Sequence, residues 1–269
     1  MDQDMATASA LRPVQQSATR EKETPMKITV IGAGAIGGNL ATRLSNAGHE
    51  VAVADARGPE SVNDDVLASG ARAVEMEAAT QDRDVIVLAI PFSVQQALAD
   101  LIAGVPENTI VVDTSNYYPA MAGPVEAVDA GKVESVWSQE TLGRPIVKAW
   151  NAALSGTQQT KGLPKGAPGR IAIPVAADSS DDRAVVMQLV DDTGFDPYDA
   201  GVIAESWRQQ PGTPAYCTEL SYDELGTALA AAVKDDAPAK RDQLMAHFGS
   251  LEEMPSLDET VAINRAAFK

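Results

Sequence analysis

The sequence predicts an α/β protein: a doubly wound parallel sheet followed by a second, smaller C-terminal α/β lobe. Three observations carry that prediction. Lys27–Ile31 (KITVI) is a short β-branched apolar run that leads into Gly32, Gly34 and Gly37, spaced G-x-G-x-x-G. A one-faced pattern follows, with Ile36, Leu40, Leu44 and Ala47 at spacings of four, four and three, as an amphipathic helix requires. The further runs Glu50–Ala54, Asp84–Ile90 and Thr109–Asp113 are apolar; the nearly unbroken Asp84–Ile90 suits a central parallel strand buried on both faces.

Each glycine of the first turn has its own task. Gly32 allows the tight turn, Gly34 lets the backbone approach a pyrophosphate with no Cβ in the way, and Gly37 lets the helix pack close to the strand. The free N–H groups at the helix start face an anion, and the helix dipole favours its charge. Gly32, Ala33, Gly34, Ala35, Ile36 and Gly37 are therefore the candidate dinucleotide loop. The second strand ends in Asp55, 18 residues past Gly37, where this fold places a ribose-binding acid. Arg57 follows, and an Arg at that point accommodates the 2′-phosphate of NADP. Asp55 argues for NAD instead, because its carboxylate accepts from two ribose hydroxyls and repels a 2′-phosphate. Arg57 reads equally as a solvated loop cation, and the residues leave NADP and NAD both open.

Beyond the ARGPES loop, a helix is expected over Ser61–Gly70, a short third strand over Ala71–Val74, and a short helix or loop over Met76–Gln81. Asp84–Ile90 is the central strand and ends at Pro91 and Phe92. Ligands in open α/β sheets lie beyond the carboxyl ends of strands, so Ile90, Pro91 and Phe92 are candidates for the wall under a ring of the coenzyme or, alternatively, a cap on the core. A helix over Val94–Ile102 leads to the strand Thr109–Asp113 and the loop TSNYYPAM, where Ser115 and Asn116 offer donors and acceptors to a nicotinamide amide or a substrate. A helix over Val133–Leu142 and a sixth strand over Pro145–Ala149 complete the first domain.

Gly156–Gly169 is a Gly/Pro-rich loop, and the domain change is placed at its start. The organisation expected is a disordered tail over residues 1–24, a dinucleotide-binding domain over 25–152 and a smaller substrate or dimerisation lobe over 153–269. In that lobe Arg170–Ala176 reads as a strand, Ser180–Asp192 as a helix, Phe195–Ala200 as the approach to a turn, and Trp207–Gly212 as a polar, aromatic stretch able to contact a ligand. A helix is expected over Thr218–Ala232, with one or two peripheral helices after it.

Bulk properties narrow the partners. The 269 residues carry a formal net charge of −17, a surface that repels nucleic acid and anionic lipid. Residues 1–24 lack the apolar stretch of a signal peptide, and no run reaches a membrane span, so a soluble cytoplasmic protein is expected. With Cys217 as the single cysteine and only His49 and His247, neither a disulfide nor a transition-metal site is expected; Cys217 reads as a buried thiol rather than a nucleophile.

Taken in order, ITVIGAGAIGGNLATRL, GHEVAVADARGPES, DVIVLAIP, VDTSNYYP, RPIVKAWN, GRIAIPVAADSSDDRAVVMQLVDDTGFDPYDAG and QQPGTPAY resemble the F420-dependent NADP oxidoreductase-like family over residues 26–232. The resemblance implies a Rossmann domain that binds NADP(H), a small C-terminal α/β lobe, a homodimer, and hydride transfer between the nicotinamide and coenzyme F420 or another flavin-like ring. Carried over by position, the dinucleotide loop is Ala33–Gly37. The family's Ser-Arg reader of the 2′-phosphate falls on Ala56 and Arg57, with the Ser replaced; the resemblance favours NADP, with NAD as the alternative. Ile90 and Pro91 form the wall under the nicotinamide. Lys148 and Asn151 lie near the reacting ring in positioning roles, and Trp150 is either core or a platform for a flat acceptor.

Hydride transfer between two rings needs proximity and orientation more than acid/base chemistry. The sequence agrees, because no His/Asp pair follows the strands and Lys148 is the one candidate base. The alternatives are an NAD(P)-dependent dehydrogenase or reductase of a small carbonyl or hydroxy substrate, a non-catalytic dinucleotide sensor, and a metalloreductase.

Overall fold

A computed structural model of the chain describes residues 24–268. The segment expected to be a disordered tail lies, but for Thr24, outside the described residues. The first strand, β1 (Lys27–Ile31), turns into α1 (Ala35–Asn46) and β2 (Glu50–Ala54). Then come α2 (Asp64–Ala68), β3 (Arg72–Ala73), β4 (Val85–Leu88), α3 (Ala99–Ala103) and β5 (Ile110–Asp113). The short helices α4 (Pro119–Ala122) and α5 (Glu126–Asp129) lead to α6 (Glu134–Leu142) and β6 (Val147–Lys148). These six strands form one parallel sheet in the order β3-β2-β1-β4-β5-β6, the doubly wound Rossmann order. Its central strands are sealed on both faces: Val85, Ile86, Val87 and Leu88 of β4 are all fully buried.

The remaining chain forms the smaller α/β lobe. It runs through α7 (Ser155–Thr160), β7 (Ala172–Val175), α8 (Ser180–Asp192), β8 (Asp196–Asp199), α9 (Tyr222–Ala231), α10 (Ala237–Gly249) and α11 (Leu257–Ala266). Strands β7 and β8 pair in parallel across α8, and an antiparallel bridge from Lys148 to Ala176 ties them to β6. The lobe has no separate interior on this side: Ile173, Val175, Val186, Leu189 and Phe195 share one apolar cluster with Ile28, Val30, Leu40 and Leu44. Trp150 sits in that cluster, fully buried, with its indole N–H directed to Thr193 Oγ1 at 3.3 Å. It is a core residue and offers no platform to a flat acceptor.

Several elements depart from the sequence pattern, each for a tertiary reason. The helix expected from Ser61 starts at Asp64, because Asn63 caps it by accepting from Asp65 N–H at 2.9 Å. Most of the helix expected over Val94–Ile102 is a 3-10 turn, Phe92–Leu98. There Gln95 is drawn fully inside and donates to Asp113 Oδ1 at 3.1 Å and Ser115 Oγ at 2.7 Å. The first part of the expected Gly156–Gly169 loop is helical α7, whose carbonyls at Gln158 and Gln159 accept from the Arg43 guanidinium of α1. Asp196–Asp199 (DPYD) becomes a strand only by pairing with β7. The helix expected from Thr218 begins at Tyr222, where Ser221 and Glu224 form a capping box.

Candidate functional site

Strand β1 delivers the chain to a turn whose geometry accounts for each glycine separately. At Gly32 φ is +104°, and a Cβ would meet the Ala89 carbonyl oxygen at 2.3 Å. At Gly37 a Cβ would meet the Gly32 carbonyl oxygen at 1.8 Å, so only glycine lets α1 lie this close to the turn. Gly34 differs: it is exposed, its φ is ordinary at −71°, and a Cβ there would meet nothing within 4 Å. No fold requirement acts on the side chain at Gly34, and the space in front of it is open.

Gly34 is also the N-cap of α1, which has neither a side-chain cap nor an acid in its first turn. The first-turn N–H groups of a helix have no intrahelical acceptor, and those of α1 open towards the exposed loop. By contrast α8 is capped by Ser179, and α9 and α11 carry capping boxes, each with two acids in the first turn. The start of α1 is thus electropositive, the kind of helix end that can receive an anion.

Asp55 braces this loop. Its Oδ2 accepts from Ala33 N–H at 2.9 Å, and its Oδ1 accepts from Arg57 Nε at 2.8 Å and from Arg57 N–H at 3.1 Å. The Arg57 side chain, helped by the Ala33 and Arg57 amides, holds the carboxyl well below the usual carboxylate range. Asp55 is therefore ionised and bonded to the loop, while the Arg57 side chain is 69% exposed and lies across it. Ala56 is exposed beside it. A cleft of about 680 Å³ opens here, lined by Ala33, Gly34, Ala35, Asn39, Arg43 and Arg57, among others. Ile36 is half-buried and packs against the main apolar cluster. Ile90 packs against the turn, its Cγ2 3.3 Å from where a Cβ on Gly32 would stand, and Pro91 is exposed. The sequence pattern does not single out Asn39, Thr42, Arg43 and Asn46, which also line the cleft. Their signal is a polar stripe: with Ala35 they recur at helical spacing along one side of α1.

At the ends of β5 and β6 the side chains are committed to one another. Lys148 Nζ donates to Asp113 Oδ2 at 2.7 Å, with both side chains essentially inaccessible, and also to the Ser115 carbonyl. Ser115 is buried, and its Oγ accepts from Gln95 Nε2 at 2.7 Å. Asn116 and Asn151 are reciprocally bonded: Asn116 Nδ2 donates to the Asn151 carbonyl, and Asn151 Nδ2 donates to Asn116 Oδ1, both at 3.0 Å. Asn151 also takes Gln209 Nε2 at 3.0 Å and donates to the Gln209 carbonyl at 2.9 Å. Neither Lys148 nor Asn151 presents a free polar atom to a reacting ring. Lys148 ties the end of β6 to that of β5, and Asn151 ties it to the 3-10 turn Ile203–Gln209, in which Trp207 is packed against Val133 and Ala232. Glu134, also buried, accepts from Tyr117 N–H at 3.0 Å, and burial pushes its carboxyl up to about 7. Burial likewise pushes the Cys217 thiol up to about 12, so it is not a thiolate nucleophile.

The family model of coenzyme F420-dependent NADP oxidoreductases matches residues 27–117. The Escherichia coli (strain K12) protein YjhV is 44% identical over 104 residues, which span 39% of this chain and 76% of that protein. The crystal structure of SMa0349, a hypothetical protein from Sinorhizobium meliloti, is 31% identical, with a TM-score of 0.61 over 72% of this chain and 95% of that one. The chain belongs to the coenzyme F420-dependent NADP oxidoreductase family. A candidate F420-dependent NADP reductase from Arthrobacter sp. FB24 shares the fold at 18% identity, with a TM-score of 0.54 over 84% of this chain and 94% of that one. As a member of this family, the protein is an NAD(P)-dependent oxidoreductase with a Rossmann coenzyme domain. Among the described residues no helix is long and apolar enough to cross a membrane.

Proposed function

We propose that the protein moves hydride between the nicotinamide of NADP(H) and a planar acceptor, coenzyme F420 or a flavin. One observation carries the coenzyme half of this reading: the uncapped start of α1 opens, past the unobstructed Gly34, into a cleft that also holds the exposed Arg57. A diphosphate there accepts from the first-turn amides. Arg57 is free to turn from Asp55 to a 2′-phosphate, whose higher charge makes it the stronger partner for a guanidinium. The acceptor half is supported by the chemistry of the strand ends. Lys148 is held by Asp113 inside the protein, so the one candidate lysine base has no access to a substrate proton. Ring-to-ring hydride transfer needs none; it needs two flat partners held at a near-attack distance of about 3–3.5 Å.

The test is oxidation of NADPH followed by its near-ultraviolet absorbance, with F420, FMN, quinones and ferric salts offered in turn. Turnover is expected with F420 or FMN and with NADPH in preference to NADH. Failure to bind either reduced coenzyme at millimolar concentration overturns the reading.

A further inference from the structure

A second cavity, of about 280 Å³, lies where α10 and α11 cover the loops after β5 and β6. None of the residues lining the coenzyme cleft reaches it. Its walls are apolar: Leu154, Pro211, Leu244, Met245 and Phe248 are among them. In this wall stands one cation, Arg241, whose residue is only 8% exposed. Its Nε donates to Asp242 Oδ1 at 2.8 Å, and its guanidinium carbon lies 5.5 Å from the Tyr117 ring centre. Among the described residues its two terminal nitrogens have no hydrogen-bond acceptor. They are not sealed into protein either, and Arg241 is one of the residues that line the cavity.

That combination is unusual for a purely structural arginine. Buried guanidinium groups are ordinarily matched by acceptors, because a desolvated charge left without partners is costly. Asp242 is a weak counter-charge here, since its side chain is 64% exposed, and the buried Glu134, a second acid within electrostatic reach of Arg241, makes no hydrogen bond to it among the described residues. The planar fork formed by the terminal nitrogens matches a carboxylate bidentately. The apolar remainder of the wall suits a hydrocarbon body and gives a highly charged, strongly hydrated phosphate little to exchange for its water. The Tyr118 and Tyr216 hydroxyls, 3.1 Å apart, border the same space.

We infer that this cavity binds a compact organic monocarboxylate, its apolar body among Leu244, Met245 and Phe248 and its carboxylate on the Arg241 guanidinium. The site is independent of the coenzyme reading, because it shares no lining residue with the α1 cleft.

The probe is 3-phenylpropanoate, titrated calorimetrically into the full chain, with 3-phenylpropanamide as its neutral counterpart. The acid is expected to bind saturably and about tenfold or more tighter than the amide, the scale of a charge-assisted hydrogen bond. Arg241→Gln brings the acid down to the affinity of the amide. Leu244→Trp fills the cavity and removes binding of both compounds while leaving Arg241 in place. If Arg241→Gln does not fold, the acid–amide difference and Leu244→Trp decide the matter. Equal affinity for acid and amide, absence of saturable binding, or acid binding undiminished by Leu244→Trp overturns the inference.

Discussion

The two polar regions at the carboxyl edge of the sheet are built on opposite principles. At the first crossover the main chain does the work: side chains are small or absent, the helix start is uncapped, and the polar groups face outward. At the ends of β5 and β6 the side chains do the work, and they face inward: Lys148 on Asp113, Asn116 on Asn151, Gln95 on Ser115. The first region keeps its donors outward, whereas the second spends its polar groups on one another. Binding is therefore expected to live at the crossover, and stability at the strand ends.

Gly34→Asp gives the sharpest separation of these roles. The new Cβ meets no protein atom within 4 Å, and the carboxylate it carries is placed to cap α1, where a diphosphate would bind. Fluorescence titration with NADPH should show binding lost, by about a hundredfold or more. Thermal unfolding should show a stability unchanged or raised by roughly a few tenths of a kcal/mol, because Asp is a slightly better N-cap than Gly. Unchanged NADPH affinity would remove the diphosphate from this loop.

Lys148→Met is the converse experiment. It leaves Asp113 charged and inaccessible, which costs about 3–5 kcal/mol of folding stability, read by denaturant unfolding. A loss below about 1 kcal/mol would show that the strand ends are not the stabilising region.

The buried acid Glu134 gives the same region a pH signature. Its carboxyl is raised from 4.5 to about 7 by burial, so the folded protein holds a proton that the unfolded chain has already released. Stability should therefore fall as pH rises from about 4.5 to 7, by up to about 3 kcal/mol, and level off above that. Glu134→Gln still accepts from Tyr117 N–H through its amide oxygen and should flatten that part of the stability–pH curve. An identical slope in the variant would place the proton elsewhere.

The smallest effect expected is at Arg57. Arg57→Ala should weaken NADPH about tenfold and leave NADH within about twofold, the scale of one charged hydrogen bond at an exposed site. Equal losses for both coenzymes would make Arg57 a brace for Asp55 and nothing more.

How much of this is legible in the chain follows the same division. The strand–glycine–helix–strand succession from Lys27 to Asp55 appears in the structure with its boundaries as the pattern places them, and so does α8 over Ser180–Asp192. These segments declare themselves by local means: unbroken β-branched runs, a helical stripe, a Ser cap at 179. Arg57 is legible as a charge near the second strand, but its contact with Asp55 is not, because that depends on how the 55–57 turn closes. The sequence points Ser115 at a ligand, whereas it faces Gln95, since a distant glutamine competes for its hydroxyl. The helix at Ser155–Thr160 reads as loop because Arg43, more than a hundred residues earlier, supplies the cation that its last carbonyls accept from.

By itself, then, the sequence determined the parallel sheet, the glycine turn and the chemistry of its ligand, because these follow from backbone sterics and short-range periodicity acting over a few neighbouring residues. Only the tertiary structure decided which polar side chains face outward. It turned Lys148, Asn151 and Ser115 into internal ties, put Trp150 in the core, and left the terminal nitrogens of Arg241 without an acceptor among the described residues, beside an apolar space. Partner choice among buried polar groups is settled by residues that are far apart in the chain and meet only when it folds.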